Sequence, residues 1–356
     1  MVLLKDLCEK GSSSIAQKDL VDREGEYPIY GASGFIKNID FYQQEKPYIA
    51  VVKDGAGVGR VMLLPGKSSV IGTMQYIIPN KGVNAAYLAY AMEHMNLSKY
   101  YTGATIPHIY YKDYCVEQLP AHSLAEQENI VRYLATLEKL IALRNVQLAK
   151  LDELVKARFV ELFECGNYRF FRLGDVCTKI TDGTHKTPNY LDSGVTFISA
   201  KNIVNGELDF TDVKYISDQE YAEIQKRCQT EMGDILLSKS GSLGAPVIVK
   251  TADKIGLFES LAVIKYDRHR LLAAFLCEQL KSDNVQRQFK VGTKGVAIKH
   301  LHLGVIADTE IIVPPIEEQM AFVGFVEQTN KTKLTIQASL DKLEVMKKAL
   351  MQEYFG

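Results

Sequence analysis

Residues 123–163 read SLAEQENIVRYLATLEKLIALRNVQLAKLDELVKARFVELF. No Pro or Gly interrupts them. Leu134, Ile141, Leu148, Val155 and Leu162 recur at one heptad position, and Ile130, Leu137 and Leu151 at a second, with Arg144 and Arg158 as polar interruptions. This spacing predicts a long amphipathic helix with a coiled-coil-like seam. Ser123 and Glu126 form a Ser-x-x-Glu capping box, which satisfies two otherwise orphaned backbone donors where the helix begins. The pattern returns at 316–355, IEEQMAFVGFVEQTNKTKLTIQASLDKLEVMKKALMQEYF. A shift of 192 brings the two into register without a gap: Glu126-Gln127 lies on Glu318-Gln319, Leu148 on Leu340, Leu151 on Leu343 and Phe163 on Phe355. Pro315 suits a first helical position, and Glu317 and Glu318 suit the positive end of the helix dipole. At about 1.5 Å per residue each helix would run about 60 Å. Two matching apolar stripes in one chain are expected to pack on each other, the alternative being two unrelated surface helices on separate domains.

Around these helices the chain repeats. A length of 356 residues suits two or three domains rather than one core. The expected division is a first domain at 1–122, a long helix and linker at 123–166, a second domain at 167–315 and a second long helix at 316–356. In the first domain, LLKDL (3–7) opens with a helical turn, and YPIYGASGF (27–35) suggests a strand entering an irregular loop. YIAVV (48–52) reads as a buried strand running into the Gly-rich turn KDGAGVG (53–59). RVMLL (60–64) and SVI (69–71), joined at Pro65-Gly66, suggest a hairpin, and YII (76–78) another strand. Residues 87–101 read as helix, and 102–114 as a polar, aromatic loop. The second domain follows the same plan: FRLGDVC (171–177) matches LKDLC (4–8), and DILLSKSG (234–241) matches the strand and turn at 49–55. Residues 271–289 match the helix at 87–101, and VGTKGVAIKHL (291–301) matches TGATIPHI (102–109), with His108 on His300.

Composition narrows the classes. Hydrophobic residues make up 47% of the chain, normal for a globular protein, with no apolar run long enough for a membrane span. MVLLKDLCEKGSSS has no secretory signal pattern, and six scattered cysteines without a C-x-x-C pair suggest reduced thiols in a cytosol. Net charge is −1, with 18 basic and 18 acidic side chains in residues 1–163 and 24 and 25 in the remainder. Any nucleic-acid site must therefore be a local patch. KDGAGVG lacks dinucleotide-fingerprint spacing, and PGKS (65–68) lacks the earlier glycine of a P-loop, since Val61 stands there. His300-Leu301-His302 has no companions at metal spacing, and no Gly-x-Ser-x-Gly elbow occurs. Nothing assembles a catalytic site.

Binding chemistry is present. Residues 281–300 carry Lys281, Arg287, Lys290, Lys294 and Lys299 against a single Asp283, and residues 99–112 carry two lysines, a histidine and four tyrosines without an acid. TDGTHKTP (181–188) is a third dense polar loop. Cations beside glycine amides can hold phosphates, and nearby hydroxyls and amides can read base edges. Two other classes stay open on the residues alone: a scaffold of duplicated coiled-coil modules, and an enzyme with a cryptic site acting alone.

LGDV (173–176), TDGTHKTP (181–188), FISAKNI (197–203), GDILL (233–237) with KSG (239–241), and VPPIEEQ (313–319), together with YPIYGASG (27–34) and Glu126-Gln127, resemble the specificity subunit of type I restriction–modification systems over essentially the whole chain. The first half lacks the DGTHKTP loop. The resemblance implies an α+β fold: two tandem target-recognition domains separated by two long antiparallel helices that form a coiled coil, in an internal pseudo-two-fold repeat. Each domain would read one half of a split site in double-stranded DNA. The helices would set the spacer and dock two methyltransferase (modification) subunits, alongside restriction/translocase subunits. The chain itself would be non-catalytic and hold no cofactor, with S-adenosylmethionine, ATP and Mg on its partners, in a prokaryotic cytoplasm. The DNA-binding candidates are Lys53, Thr105, His108 and Tyr110 in the first domain. In the second they are Thr181, Thr184, His185, Lys186, Lys201, Asn202, Lys239, Thr293, Lys294, Lys299 and His300. Arg144, Asn145 and Lys333 are the partner-binding candidates.

Overall fold

The computed structural model describes residues 1–103, 107–164, 166–293 and 300–356. The chain divides into two compact units, one formed by Met1–Gln147 with Ile336–Gly356 and the other by Leu148–Thr335. Each long helix thus gives one part of its length to each unit. The first runs Leu124–Phe159 and ends in a π-helical turn at Val160–Glu164; the second runs Ile316–Phe355.

In the first unit a four-stranded antiparallel sheet has the order Cys8–Ser12, Met74–Pro79, Tyr48–Val52, Val61–Leu64. Tyr48–Val52 is buried at every position, which is why its sequence is continuously apolar. The strand's two-residue period splits it between two cores. Ile49 and Val51 meet the helix Ala85–His94, while Tyr48, Ala50 and Val52 pack with Tyr76 and Met74 on the other face. A three-stranded sheet orders Gly34–Ile39, Tyr27–Gly31 and Ser69–Val70, the last pair parallel. Ile130 and Leu134 share a core with Met351 and Phe355, and Lys347 reaches Glu138 at 2.7 Å, so the two helices run antiparallel here.

The second unit repeats both sheets. Cys177–Asp182, Leu261–Tyr266, Ile235–Ser238 and Pro246–Ile248 form the four-stranded sheet; Lys214–Ile216, Val195–Ile198 and Ile255–Leu257 form the three-stranded one, again with its last pair parallel. The unit adds a hairpin at Ile203–Val204 and Glu207–Leu208 and a helix at Asp218–Arg227. Its core centres on an aromatic cluster in which Phe163 lies 5.1 Å from Phe275 and 5.5 Å from Phe322. Phe159 and Phe163 against Phe322, and Asp152 paired with Lys333, make the helices antiparallel here too.

The glutamines of the matched Glu-Gln pairs explain why that motif marks both helix starts. Gln127 Oε1 accepts the Asn84 amide and its Nε2 donates to the His122 carbonyl. Gln319 Oε1 accepts the Leu272 amide, and its Nε2 donates to the carbonyls of Arg270 and Pro314. Each buried glutamine ties a long helix to the start of its unit's packing helix. Ser123 and Glu126 form the expected capping box.

Three local expectations are corrected. Residues 60–71 do not form a hairpin: Val61–Leu64 pairs with Tyr48–Val52, while Ser69–Val70 joins the other sheet. The turn between them, with Lys67 at φ 51° and the Ser68 hydroxyl on the Pro65 carbonyl, carries the chain out of the first sheet. Residues 27–35 are more regular than expected, since Tyr27–Gly31 and Gly34–Ile39 form a hairpin. The helix expected at 271–289 breaks at Ser282, whose extended backbone and side chain cap a second helix, Asp283–Gly292.

Candidate nucleic-acid interface

Backbone hydrogen bonds place the same lysine and histidine in each unit. The Lys53 amide donates to Thr73 and its carbonyl accepts from Ile109, at 3.0 Å each; the Lys239 amide donates to Ser260 and its carbonyl accepts from Leu301, at 2.8 Å each. Lys53 is thus equivalent to Lys239, and His108 to His300, as the sequence match expects. The loop after each lysine turns through a glycine in the left-handed region, Gly55 at φ 81° and Gly241 at φ 70°, which side-chain-bearing residues rarely adopt.

In the first unit three loops meet. The Gly55 amide donates to Pro107 at 2.9 Å, and Arg60 Nη1 donates to the Ala32 carbonyl at 2.8 Å, joining the lysine loop to the His108 segment and to the hairpin tip before Phe35. His108 Nδ1 pairs with Asp54, and the Tyr110 ring lies 4.1 Å from the imidazole. Lys53, His108, Arg60, Phe35 and Tyr110 all keep surface exposed. Thr105 lies outside the described residues. Arg60 and Phe35 escaped the sequence reading; the only signal for Arg60 was a cation ending a glycine-rich run.

In the second unit the loop 183–188 docks by the Thr184 amide on Leu257 and the Glu259 amide on Thr184, at 2.9 and 3.0 Å. An open cleft of about 480 Å³ lies between Ser199–Ile203 and Ser240–Ser242, over Phe258 and Ser260. His185, Lys186 and Lys201 are exposed, Thr184 and His300 half-buried. Lys201 pairs with Asp212 at 2.8 Å and His300 Nε2 with Glu259 at 3.3 Å. Thr181, Asn202, Lys239 and Thr293 are buried, so they support the loops from inside rather than face solvent. Asn202 does so by donating to the carbonyls of Asp209 and Asp212. Lys294 and Lys299 lie outside the described residues.

Lys239 is held by Asp182, whose other oxygen takes the Arg227 guanidinium. Burial alone would raise the Asp182 pKa. The Lys239 hydrogen bond and the charges of Lys239, Arg227 and His185 outweigh it and hold the carboxyl below its ordinary range. On the helices, Asn145 is exposed, Arg144 donates to Gln147 at 2.8 Å, and Lys333 is drawn into its pair with Asp152. No cluster of metal-ligating side chains occurs among the described residues, and none of their helices is long and apolar enough to cross a membrane.

The family model of the type I restriction modification DNA specificity domain matches this chain twice in tandem, over residues 1–153 and 166–345. The chain belongs to that family. Each match takes in one domain and most of the long helix that follows, in line with the duplication. A curated family relative, the type I restriction enzyme EcoBI specificity subunit of Escherichia coli, is 29% identical over 139 residues. That match covers 39% of this chain and 29% of the relative's length. Two solved structures share the fold. A type I restriction–modification S subunit from M. genitalium has a TM-score of 0.59 at 16% identity, over 100% of this chain and 95% of its own. A structure concerned with complex assembly and conformational transition of the type I R-M system has a TM-score of 0.61 at 16% identity, over 99% and 96%. In this specificity-domain chain the α+β repeat and its antiparallel helices are therefore the family fold.

Proposed function

We propose that this chain is the sequence-reading, non-catalytic subunit of a type I restriction–modification complex, each domain reading one half of a split site in double-stranded DNA. The observation that carries the reading is the pair of equivalent loop clusters, centred on Lys53–His108 and Lys239–His300, that duplicated folds bring together. Cations and loop amides would position the phosphate backbone, and loop side chains would read base edges in the grooves. The two clusters differ in residues, which suits two different half-sites. A duplicated chain offers two similar faces to two copies of one partner, here methyltransferase subunits. Arg144 and Asn145 are candidate contacts for them. S-adenosylmethionine would enter on those subunits and ATP and Mg on restriction/translocase subunits, in a prokaryotic cytoplasm.

The helices would serve as a ruler. Removing one heptad from each shortens them by about 10 Å at about 1.5 Å per residue. At about 3.4 Å per base pair, the preferred spacer should contract by about three base pairs. Methylated-motif sequencing of the shortened variant with its partner checks this; an unchanged spacer refutes the ruler.

A further inference from the structure

Lys53 and Lys239 hold one place in the repeat but meet different surroundings. The Lys53 side chain is 26% exposed, with its closest carboxylate, Asp54, at 3.9 Å. The Lys239 side chain is 3% exposed and pairs with Asp182, itself 4% exposed. Strand register explains the difference. Asp182 stands opposite Ala262, and the corresponding place in the first sheet is Ser12, opposite Gln75. The first unit has no carboxylate there to draw its lysine inward.

Asp182 joins segments that are distant in sequence. One oxygen takes Arg227, the last residue of the added helix Asp218–Arg227; the other takes Lys239, with His185 Nε2 at 3.4 Å. Lys239 lies 3.8 Å from Glu259, and His300 Nε2 lies 3.3 Å from the same carboxylate. The chain of polar contacts thus links the 183–188 loop, the lysine loop, the 258–260 turn and the His300 segment. Buried ion pairs add little net stability compared with apolar replacements, because desolvation offsets their attraction. Their geometry is directional, however, and here it sets where four loops stand.

We propose that the Asp182–Lys239 pair is a positioning clamp for the second unit's recognition loops, so that this unit's half-site preference depends on residues that do not touch DNA. The proposal rests on the DNA-reading function argued above. It also assigns the equivalent lysines different roles: Lys53 meets phosphate, Lys239 holds loops.

The test uses the full chain with its methyltransferase partner, as wild type, Asp182→Asn, Arg227→Gln, and a double variant, Asp182→Leu with Lys239→Met. The double variant removes both buried charges together, leaving Arg227 and Glu259, which keep solvent access, to water, and it keeps the test open should Asp182→Asn fold poorly. Amide hydrogen exchange of 183–188 and 258–260 is read without DNA, and half-site preference is read by methylation of a randomised DNA library. The clamp predicts faster loop exchange in all three variants. It also predicts about tenfold weaker discrimination at one or more bases of one half-site, on the scale of a lost base contact, with the other half-site unchanged. A stably folded double variant with wild-type preference overturns the clamp, as does equal relaxation of both half-sites. A wild-type complex that yields no split motif, whatever its loops do, overturns the DNA reading and the clamp's role with it.

Discussion

Replacing Gln319 by Leu isolates the contact that fixes the second long helix to its domain. Gln319 is fully buried, accepts the Leu272 amide at 2.9 Å, and donates to the Arg270 and Pro314 carbonyls at 2.8 Å each. Leucine fills a similar volume but meets none of these groups. The Leu272 amide, at the start of the helix Ala273–Lys281, would be left without its partner. A buried polar group left unsatisfied costs about 1–3 kcal/mol, so one donor and two acceptors bring the expected loss to about 3–5 kcal/mol after local relaxation. Gln127 makes two such bonds, to the Asn84 amide and the His122 carbonyl, so Gln127→Leu should cost less, about 2–3 kcal/mol. Native-state hydrogen exchange followed by mass spectrometry reads both, comparing amides of 273–281 with those of 85–94. Each variant should lower protection in its own unit. A loss under about 1 kcal/mol for Gln319→Leu, or a larger loss for Gln127→Leu, would refute the anchor argument.

Two further outcomes follow from the charges. Asp182 has a depressed carboxyl pKa when folded, against an ordinary 3.8, so its contribution is complete above the ordinary value and is lost as pH falls through the folded one. Thermal unfolding of the wild type should therefore lose stability below about pH 4 more steeply than Asp182→Asn, and parallel curves would contradict the assignment. Lys53→Ala should weaken DNA binding by the assembled complex across all sequences and reduce the slope of log affinity against log salt by about 0.9, as one lost phosphate contact requires. A change in base preference with an unchanged slope would instead make Lys53 a base reader.

The long helices and their pairing were legible because their signals are local and repeated: uninterrupted heptad spacing, Ser123 with Glu126, and the matched glutamines. The duplicated plan was legible because LKDLC and LGDVC each fold as a helical turn entering a strand. What escaped depends on distant partners. Ser69–Val70 is two residues long, too short for periodicity to say which sheet it joins. Lys53 and Lys239 sit in similar local sequence. Only Asp182, 57 residues before Lys239, and Arg227, on a helix with no counterpart among the first unit's described residues, decide that one is buried. The break at Ser282 had a local signal, since serine ahead of Asp283 is a favoured helix cap, but the continuous amphipathic pattern on either side masked it. Arg60 required the fold itself, because the hairpin tip it touches lies 28 residues earlier.

The central claim is that two related domains each read one half of a split DNA site. Co-expression with a type I methyltransferase subunit that forms a complex with it, followed by sequencing of the methylated genome, tests this most directly. One split motif with a methylated adenine in each half, and with one half altered when the loops around Lys239 and His300 are exchanged, is the result expected. A stable, catalytically competent complex that methylates no defined motif, or a continuous one, would contradict it.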